Sequence, residues 1–169
     1  MVWRSALLLA LVALLTAGAA SAAVERGVFT PNKGARGIKL GMTRAQVIAR
    51  LGQPFFENRN GFMEYSRNNL FDIYLDKSSR PYRVDLIGIA GPNFCLAGTD
   101  LCLGDRGGVG FIQRKYGDAL RFEKFESGDV YALHGTDQGC PALTEFLPRA
   151  FRPSAPIGMV FIGYEFDRC

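Results

Sequence analysis

The side chains that could support catalysis are few in this sequence. His134 is the only histidine, and an imidazole is the commonest general base near neutral pH. It follows an apolar run and precedes Gly135, which is typical of a surface residue at the end of a strand. The sequence contains no Gly-x-Ser-x-Gly motif that would present a serine nucleophile. We therefore expect no catalytic residue and no enzymatic activity.

Four cysteines could form disulfides or bind a metal: Cys95, Cys102, Cys140 and Cys169. They lack the close spacing of zinc ligands, and a single histidine cannot complete a set. An even number of cysteines in an exported chain favours disulfides, and it leaves no spare thiol for nucleophilic catalysis. Three pairings are possible, of which we favour Cys95–Cys102, around a glycine-containing loop, and Cys140–Cys169. We predict no metal and no cofactor.

Three aspartates, Asp72, Asp76 and Asp85, alternate with apolar residues in two predicted strands. Carboxylate pairs that hydrolyse glycosides need a cleft and a separation of about 5–10 Å. Arg83, close to Asp85, favours cross-strand ion pairs on a solvated sheet face instead. A calcium site would need a loop pattern that is missing. We interpret these side chains as the polar face of a sheet.

The stretch 104–110 is rich in glycine, as phosphate-binding loops are, but it lacks the Lys-Ser/Thr pair of those loops. We expect a flexible turn that leads into a helix. The formal net charge is +4, and the basic residues are scattered, so a nucleic-acid partner is not expected.

The N-terminus has the pattern of a secretory signal. Arg4 precedes an apolar run over 6–15, and an Ala-Ser-Ala sequence at 20–22 matches a cleavage site. We expect a signal peptide over 1–22; an uncleaved membrane anchor is the alternative. Since no cysteine follows the apolar run, a lipid anchor is not expected. The sequence therefore predicts a periplasmic or secreted protein, with an extended lead-in over 23–37 and one domain over 38–169.

A short helix is the best-specified element of that domain. Thr43 and Gln46 form a capping box, and Gly52 and Pro54 end the helix. Its apolar stripe requires a sheet to pack on, and alternating patterns predict strands over 61–66, 70–76 and 82–89.

The second half repeats this order weakly. Residues 101–104 resemble 38–41, and 111–117 resemble 47–52. Strands are expected over 120–125, 130–134 and 159–166, with a helix or turn over 141–146. We predict a disulfide-stabilised α+β fold in two layers: a tandem of two helix-plus-antiparallel-hairpin units over 38–90 and 101–169, related by duplication.

The sequence LGMTRAQV at 40–47, followed by LGQP at 51–54, resembles the SmpA/OmlA (BamE-like) family of outer-membrane-assembly lipoproteins and the broader group with the β-lactamase-inhibitor-protein fold. The resemblance covers about fifty residues, up to residue 86. It implies an α+β module that works in the cell envelope through protein or lipid contacts, without catalytic residues. The missing lipid-attachment cysteine and the cysteine-containing second half depart from the assembly lipoproteins and favour the tandem inhibitor-like arrangement.

We therefore expect a non-catalytic binding protein of the bacterial periplasm that contacts a partner protein in the cell envelope. Tyr74 falls out of phase with the apolar residues of its strand, so it should stand among charges, as in recognition surfaces. Inhibition of an extracytoplasmic β-lactamase or peptidase is the alternative. The predicted partner-binding residues lie on the polar sheet face and in the loop after the first helix: Phe55, Phe56, Asp72, Tyr74, Asp76 and Arg83.

Overall fold

The computed structural model describes residues 27–66, 70–78, 80–125 and 128–165. The helices are α1 (Arg44–Leu51) and α2 (Gly108–Tyr116), followed by a 3-10 helix, Gly117–Ala119. The strands are β1 (Gly27–Thr30), β2 (Gly34–Ala35), β3 (Ile38–Lys39), β4 (Phe56–Glu57), β5 (Phe62–Glu64), β6 (Phe71–Asp76), β7 (Arg83–Ala90), β8 (Phe94–Leu96), β9 (Leu120–Phe125), β10 (Gly128–Asp137), β11 (Cys140–Pro148) and β12 (Ile157–Tyr164).

Helix α1 begins and ends where the sequence predicts. The Thr43 hydroxyl accepts a hydrogen bond from the Gln46 amide at 3.3 Å, and the Gln46 side chain accepts one from the Thr43 amide at 2.8 Å. Gly52 follows the helix with a φ of 82°, a conformation that favours glycine. Val47 is completely buried. The capping box is confirmed, and it satisfies backbone N–H groups at the start of the helix.

Eight strands form one antiparallel sheet in the order β4-β5-β6-β7-β12-β11-β10-β9. Each half of the chain contributes four consecutive strands after its helix. The halves meet where β7 pairs with β12, with Ile87 opposite Ile162 and Gly88 opposite Phe161. The sheet is therefore continuous across the two halves of the chain.

The predicted fold class is wrong. We expected an α+β fold of two helix-plus-hairpin units in two layers, but strands occupy 49% of the structure and helices 15%, and the strands form two sheets. Each helix precedes four strands rather than a hairpin. Residues 141–146, expected to be a helix or turn, belong to β11, where Ala142, Thr144 and Phe146 alternate inward as in a strand. The duplication stays a prediction.

The large sheet has one covered side, which we call the inner face. Its apolar side chains join α1, α2 and the small sheet in one hydrophobic core. We call the opposite side the outer face; none of its side chains named here belongs to that core. The inner face carries Met63, Phe71, Ile73, Ile87, Ile89, Phe146, Val160 and Ile162, and the outer face carries Phe56, Phe62, Glu64, Asp72, Tyr74, Leu86, Gly88, Ala132, His134, Glu145 and Phe161.

The second sheet is small and has the order β3-β2-β1-β8. The expected extended lead-in thus supplies two of its strands. The turn after β1 closes over the inner face of the second half, because the Asn32 amide donates to the Thr144 hydroxyl at 2.6 Å. The Thr144 hydroxyl in turn donates to the Asn32 side chain at 2.8 Å. These bonds satisfy a completely buried threonine.

Helix α2 starts inside the glycine-rich stretch, which we expected to be a flexible turn. The amides of Val109 and Gly110 donate to the carbonyls of Ala155 (3.1 Å) and Pro153 (2.9 Å). A Cβ atom on Gly108 would lie 3.1 Å from the amide nitrogen of Ile157. The glycines therefore permit a close backbone approach, and the N–H groups that a phosphate would need are already bonded.

A disulfide joins Cys95 to Cys102, which confirms the first predicted pair. Cys140 is also disulfide-bonded, whereas Cys169, its predicted partner, lies outside the described residues, as does the predicted signal peptide over 1–22. Disulfides are typical of proteins outside the cytoplasm. Neither helix in the described ranges has the length and apolar character needed to cross a membrane.

Candidate partner-binding face

Three aromatic side chains form a strip on the outer face, at the end of the sheet that contains β4. The ring centroids of Phe56 and Phe62 are 6.2 Å apart, and those of Phe62 and Tyr74 are 5.1 Å apart. Phe56 is 50% exposed and Tyr74 37%. We call these three residues the aromatic strip. Tyr74 thus stands on the polar side of its strand, as its phase predicts.

Two carboxylates lie directly beside the aromatic strip. Glu64 on β5 and Asp72 on β6 are cross-strand partners, a position in which the Cβ atoms are about 5 Å apart. Asp72 is only 6% exposed, which corrects the expectation of a solvated residue. Burial and the neighbouring charge of Glu64 raise the pKa of Asp72 to about 6. We call Glu64 and Asp72 the carboxylate pair.

The other side of Asp72 is closed by an aromatic ring from the second half of the chain. Gly88 is the cross-strand neighbour of Asp72 on β7 and of Phe161 on β12. A Cβ atom on Gly88 would lie 3.0 Å from the Phe161 ring, so this ring lies across the glycine. The Leu70 side chain would lie 3.4 Å from the same Cβ atom, so Leu70 and Phe161 together cover Asp72 from the β7 side and account for its burial. We call the region of the outer face around Asp72, between Tyr74 and Phe161, the depression.

The depression also changes the acidity of Tyr74. Burial and the charge of Asp72 raise the pKa of the Tyr74 phenol above its ordinary value of 10.0, so the phenol stays protonated and can donate a hydrogen bond near neutral pH.

The remaining predicted residues have structural contacts of their own. The Arg83 guanidinium donates to the carbonyl of Gly41 at 2.9 Å, which ties β7 to the start of α1. The Asp76 carboxylate accepts bonds from the amide (2.7 Å) and hydroxyl (2.8 Å) of Ser78. Phe55 precedes β4 and is 52% exposed. The structure thus brings Phe56, Asp72 and Tyr74 together and leaves the other predicted residues outside the depression.

His134 lies on the outer face in the second half, between two glutamates. Its Nε2 atom is 2.7 Å from a Glu123 carboxylate oxygen, and its Nδ1 atom is 2.5 Å from one of Glu165. These bonds raise the pKa of the imidazole above 6.5. Both ring nitrogens are engaged, so the imidazole is held as a cross-strand link rather than presented to a substrate.

A third carboxylate, which is half-buried, lies on the outer face beyond Phe161. Glu145 is the cross-strand partner of Phe161 on one side and of Ala132 on the other. Burial and the charge of Glu123 raise its pKa above 4.5. The centre of the outer face therefore combines apolar surface with three carboxylates, those of Glu64, Asp72 and Glu145. None of the three has a hydrogen bond or ion pair to another described residue.

Four residues of this face were not predicted from the sequence: Phe62, Glu64, Glu145 and Phe161. Gly88 carries a usable signal, because an isolated glycine inside a strand pattern marks a close approach. It does not reveal which side chain approaches, since Phe161 reaches it only through the pairing of β7 with β12. In the described part of the chain, no group of three or more His, Cys, Asp or Glu side chains could hold a metal ion.

Comparison with protein-family models, curated proteins and solved structures finds no match for this chain. The resemblance to the SmpA/OmlA family therefore stays a prediction from the sequence.

Proposed function

We propose that this chain is a non-catalytic, exported protein that binds a partner protein in the bacterial cell envelope through the outer face of its large sheet. The observation that carries the proposal is the asymmetry of the sheet. Both helices and the small sheet pack on the inner face, whereas the outer face joins exposed aromatic rings to the buried carboxylate of Asp72. Aromatic residues over a desolvated centre are typical of protein interfaces.

The negative charge at the centre of the outer face favours a partner protein with a basic surface. The carboxylates at Glu64, Asp72 and Glu145 face outward from the centre of the sheet, and the first two have no positive group of the described chain bonded to them. A partner that brings positive charge would be complementary to this face.

Export is supported by the disulfide and by the signal-like pattern of residues 1–22. The absence of catalysis is supported by His134, whose ring nitrogens are both bound to glutamates. A periplasmic location fits both the disulfide and a cleaved signal peptide.

The proposal is tested by affinity capture from periplasmic extract, followed by calorimetry with the purified candidate partner. Tyr74→Ala and Phe56→Ala should each weaken binding at least tenfold while leaving the circular dichroism spectrum unchanged. Phe151→Ala is the matched control, because Phe151 is also exposed, at 48%, but lies outside the outer face. Equal affinities for all three variants and the wild type would contradict the proposal.

Inhibition of an extracytoplasmic enzyme is a second candidate, favoured by the negative charge of the carboxylate pair, which is complementary to positive charge at the rim of an active site. Purified protein should then suppress a β-lactamase or a peptidase in a panel, and Asp72→Asn should remove the suppression. Full activity of every enzyme in the panel would eliminate this candidate.

A further inference from the structure

We propose that the carboxylate pair and the aromatic strip form a subsite for one arginine side chain of a partner protein. This inference rests on the proposed function and names the chemistry that the partner presents at the centre of the face. The five residues that build the subsite are Phe56, Phe62, Glu64, Asp72 and Tyr74.

The carboxylate pair has no counterion among the described residues. Glu64 and Asp72 are directly opposed on neighbouring strands, and like charges in that position are unfavourable. Asp72 is more than nine-tenths buried, yet among the described residues no hydrogen bond or ion pair satisfies it. Buried carboxylates are normally paired, and the described residues supply no cation here, so a ligand can supply one.

The aromatic rings beside the carboxylate pair suit a planar cation. Phe62 and Tyr74 stand together, 5.1 Å apart, beside the carboxylates, and the Phe161 ring closes the opposite side over Gly88. A guanidinium is planar, stacks on aromatic rings and donates along its edges to carboxylates. An ammonium group is more strongly hydrated and lacks this planar fork, so the subsite favours arginine over lysine.

A free metal ion and a protein segment are the two sources of positive charge to compare. Two carboxylates fall short of the six to eight oxygen ligands that calcium prefers, and the described residues offer no larger acidic cluster. The aromatic strip continues from the depression to exposed Phe56, which offers a path for the polypeptide on either side of the arginine. A protein segment therefore fits the site better than a free ion.

Binding should also depend on pH. The groups that face Asp72 are Glu64 from β5 and Tyr74 on its own strand, while β7 places Gly88 there and β12 places Phe161. The pKa of Asp72, about 6, means that the pair carries less negative charge at pH 5 than at pH 7.5. Arginine binding should strengthen as the pH rises from 5 to 7.5, and near pH 5 binding should release a proton from Asp72.

The test uses the peptide Ac-Gly-Arg-Gly-NH2 and the whole protein, observed by ¹⁵N and carboxyl ¹³C NMR at pH 7.5. We expect saturable shifts centred on Asp72 with a millimolar dissociation constant. The same peptide with citrulline, a neutral analogue of arginine, should cause at most a tenth of that response, and the lysine peptide should bind several-fold more weakly. Asp72→Asn should weaken arginine binding at least tenfold, whereas the exposed control Asp118→Asn should not change it.

Three results would overturn the subsite: equal responses to arginine and citrulline, unchanged binding by Asp72→Asn, or shifts centred away from the depression. Failure of the subsite is distinguishable from failure of the proposed function. If a partner depends on Tyr74 but not on Asp72, the outer face binds without an arginine at this position. If the arginine peptide binds but no partner depends on Tyr74, the subsite stands and the proposed function fails.

Discussion

Replacing Asp72 by asparagine should stabilise the protein at neutral pH. The carboxylate is buried next to Glu64, no described residue supplies a cation to it, and its pKa is raised from 3.8 to about 6. A change of that size corresponds to about 3 kcal/mol between the two protonation states. Because the outer face is open to solvent above the depression, which screens the charge, we expect about half of this value, roughly 1.5 kcal/mol.

The sign follows from proton binding in the two states. Between pH 3.8 and 6 the folded protein holds a proton at Asp72 that the unfolded chain has released, so the stability of the wild type falls as the pH rises through this window. Below the window the carboxyl is neutral in both states and carries no penalty. Asp72→Asn should therefore raise the stability at pH 7.5 and change it little at pH 4.

Urea denaturation and thermal melting at the two pH values measure the effect. At pH 7.5 the melting temperature should rise by about 3 to 6 °C, and at pH 4 by less than a third of that. Asp118→Asn, which removes an exposed charge, is the control and should shift neither curve appreciably. A variant that is less stable than the wild type at pH 7.5, or equally changed at both values, would refute the reasoning.

Three further predictions concern other parts of the molecule. His134 is the only histidine, so the NMR signals of a single imidazole ring report its titration, which should occur above pH 6.5 in the wild type and closer to 6.5 in Glu123→Gln. The ion pairs of His134 should stabilise the protein by at most about 1 kcal/mol at this partly exposed site, fully below pH 6.5 and less as the pH rises through the folded-state pKa. Identical unfolding curves of His134→Gln and wild type at pH 6 would contradict this prediction. Thr43→Ala should cost about 1 kcal/mol in urea denaturation, while Thr43→Ser should keep most of the stability. Replacing Cys95 and Cys102 together by alanine should cost about 2.5 kcal/mol for a loop of this length, and a cost below 1 kcal/mol would show that the disulfide constrains the chain little.

Local patterns in the sequence were sufficient for the elements whose ends are marked by specific residues. Thr43, Gln46 and Gly52 define α1 because capping uses side chains only three to nine residues apart. The alternation of Phe71, Ile73 and Leu75 likewise defines β6, since one buried face imposes a period of two. These signals are local, so a single sequence contains them in full.

Long-range pairing was not available from the same patterns. The pairing of β7 with β12, which carries Phe161 across Gly88, joins segments far apart in the chain, and nothing in either segment names the other. The burial of Asp72 depends on that pairing, and so the sequence predicts a solvated aspartate where the structure has a buried one. The short strands of the small sheet were missed for a related reason, because two-residue strands have no period.

The first turn of α2 has a consequence for the order in which this chain folds. Its amides are satisfied by the carbonyls of Pro153 and Ala155, it has no side-chain cap, and Gly108 and Gly110 each cost about 1 kcal/mol relative to alanine. During synthesis, α2 therefore emerges from the ribosome long before the segment that completes it. A nascent chain that stops short of residue 153 should be missing this helix as well as β12, so the second half of the domain is completed only when about the last tenth of the sequence has been synthesised.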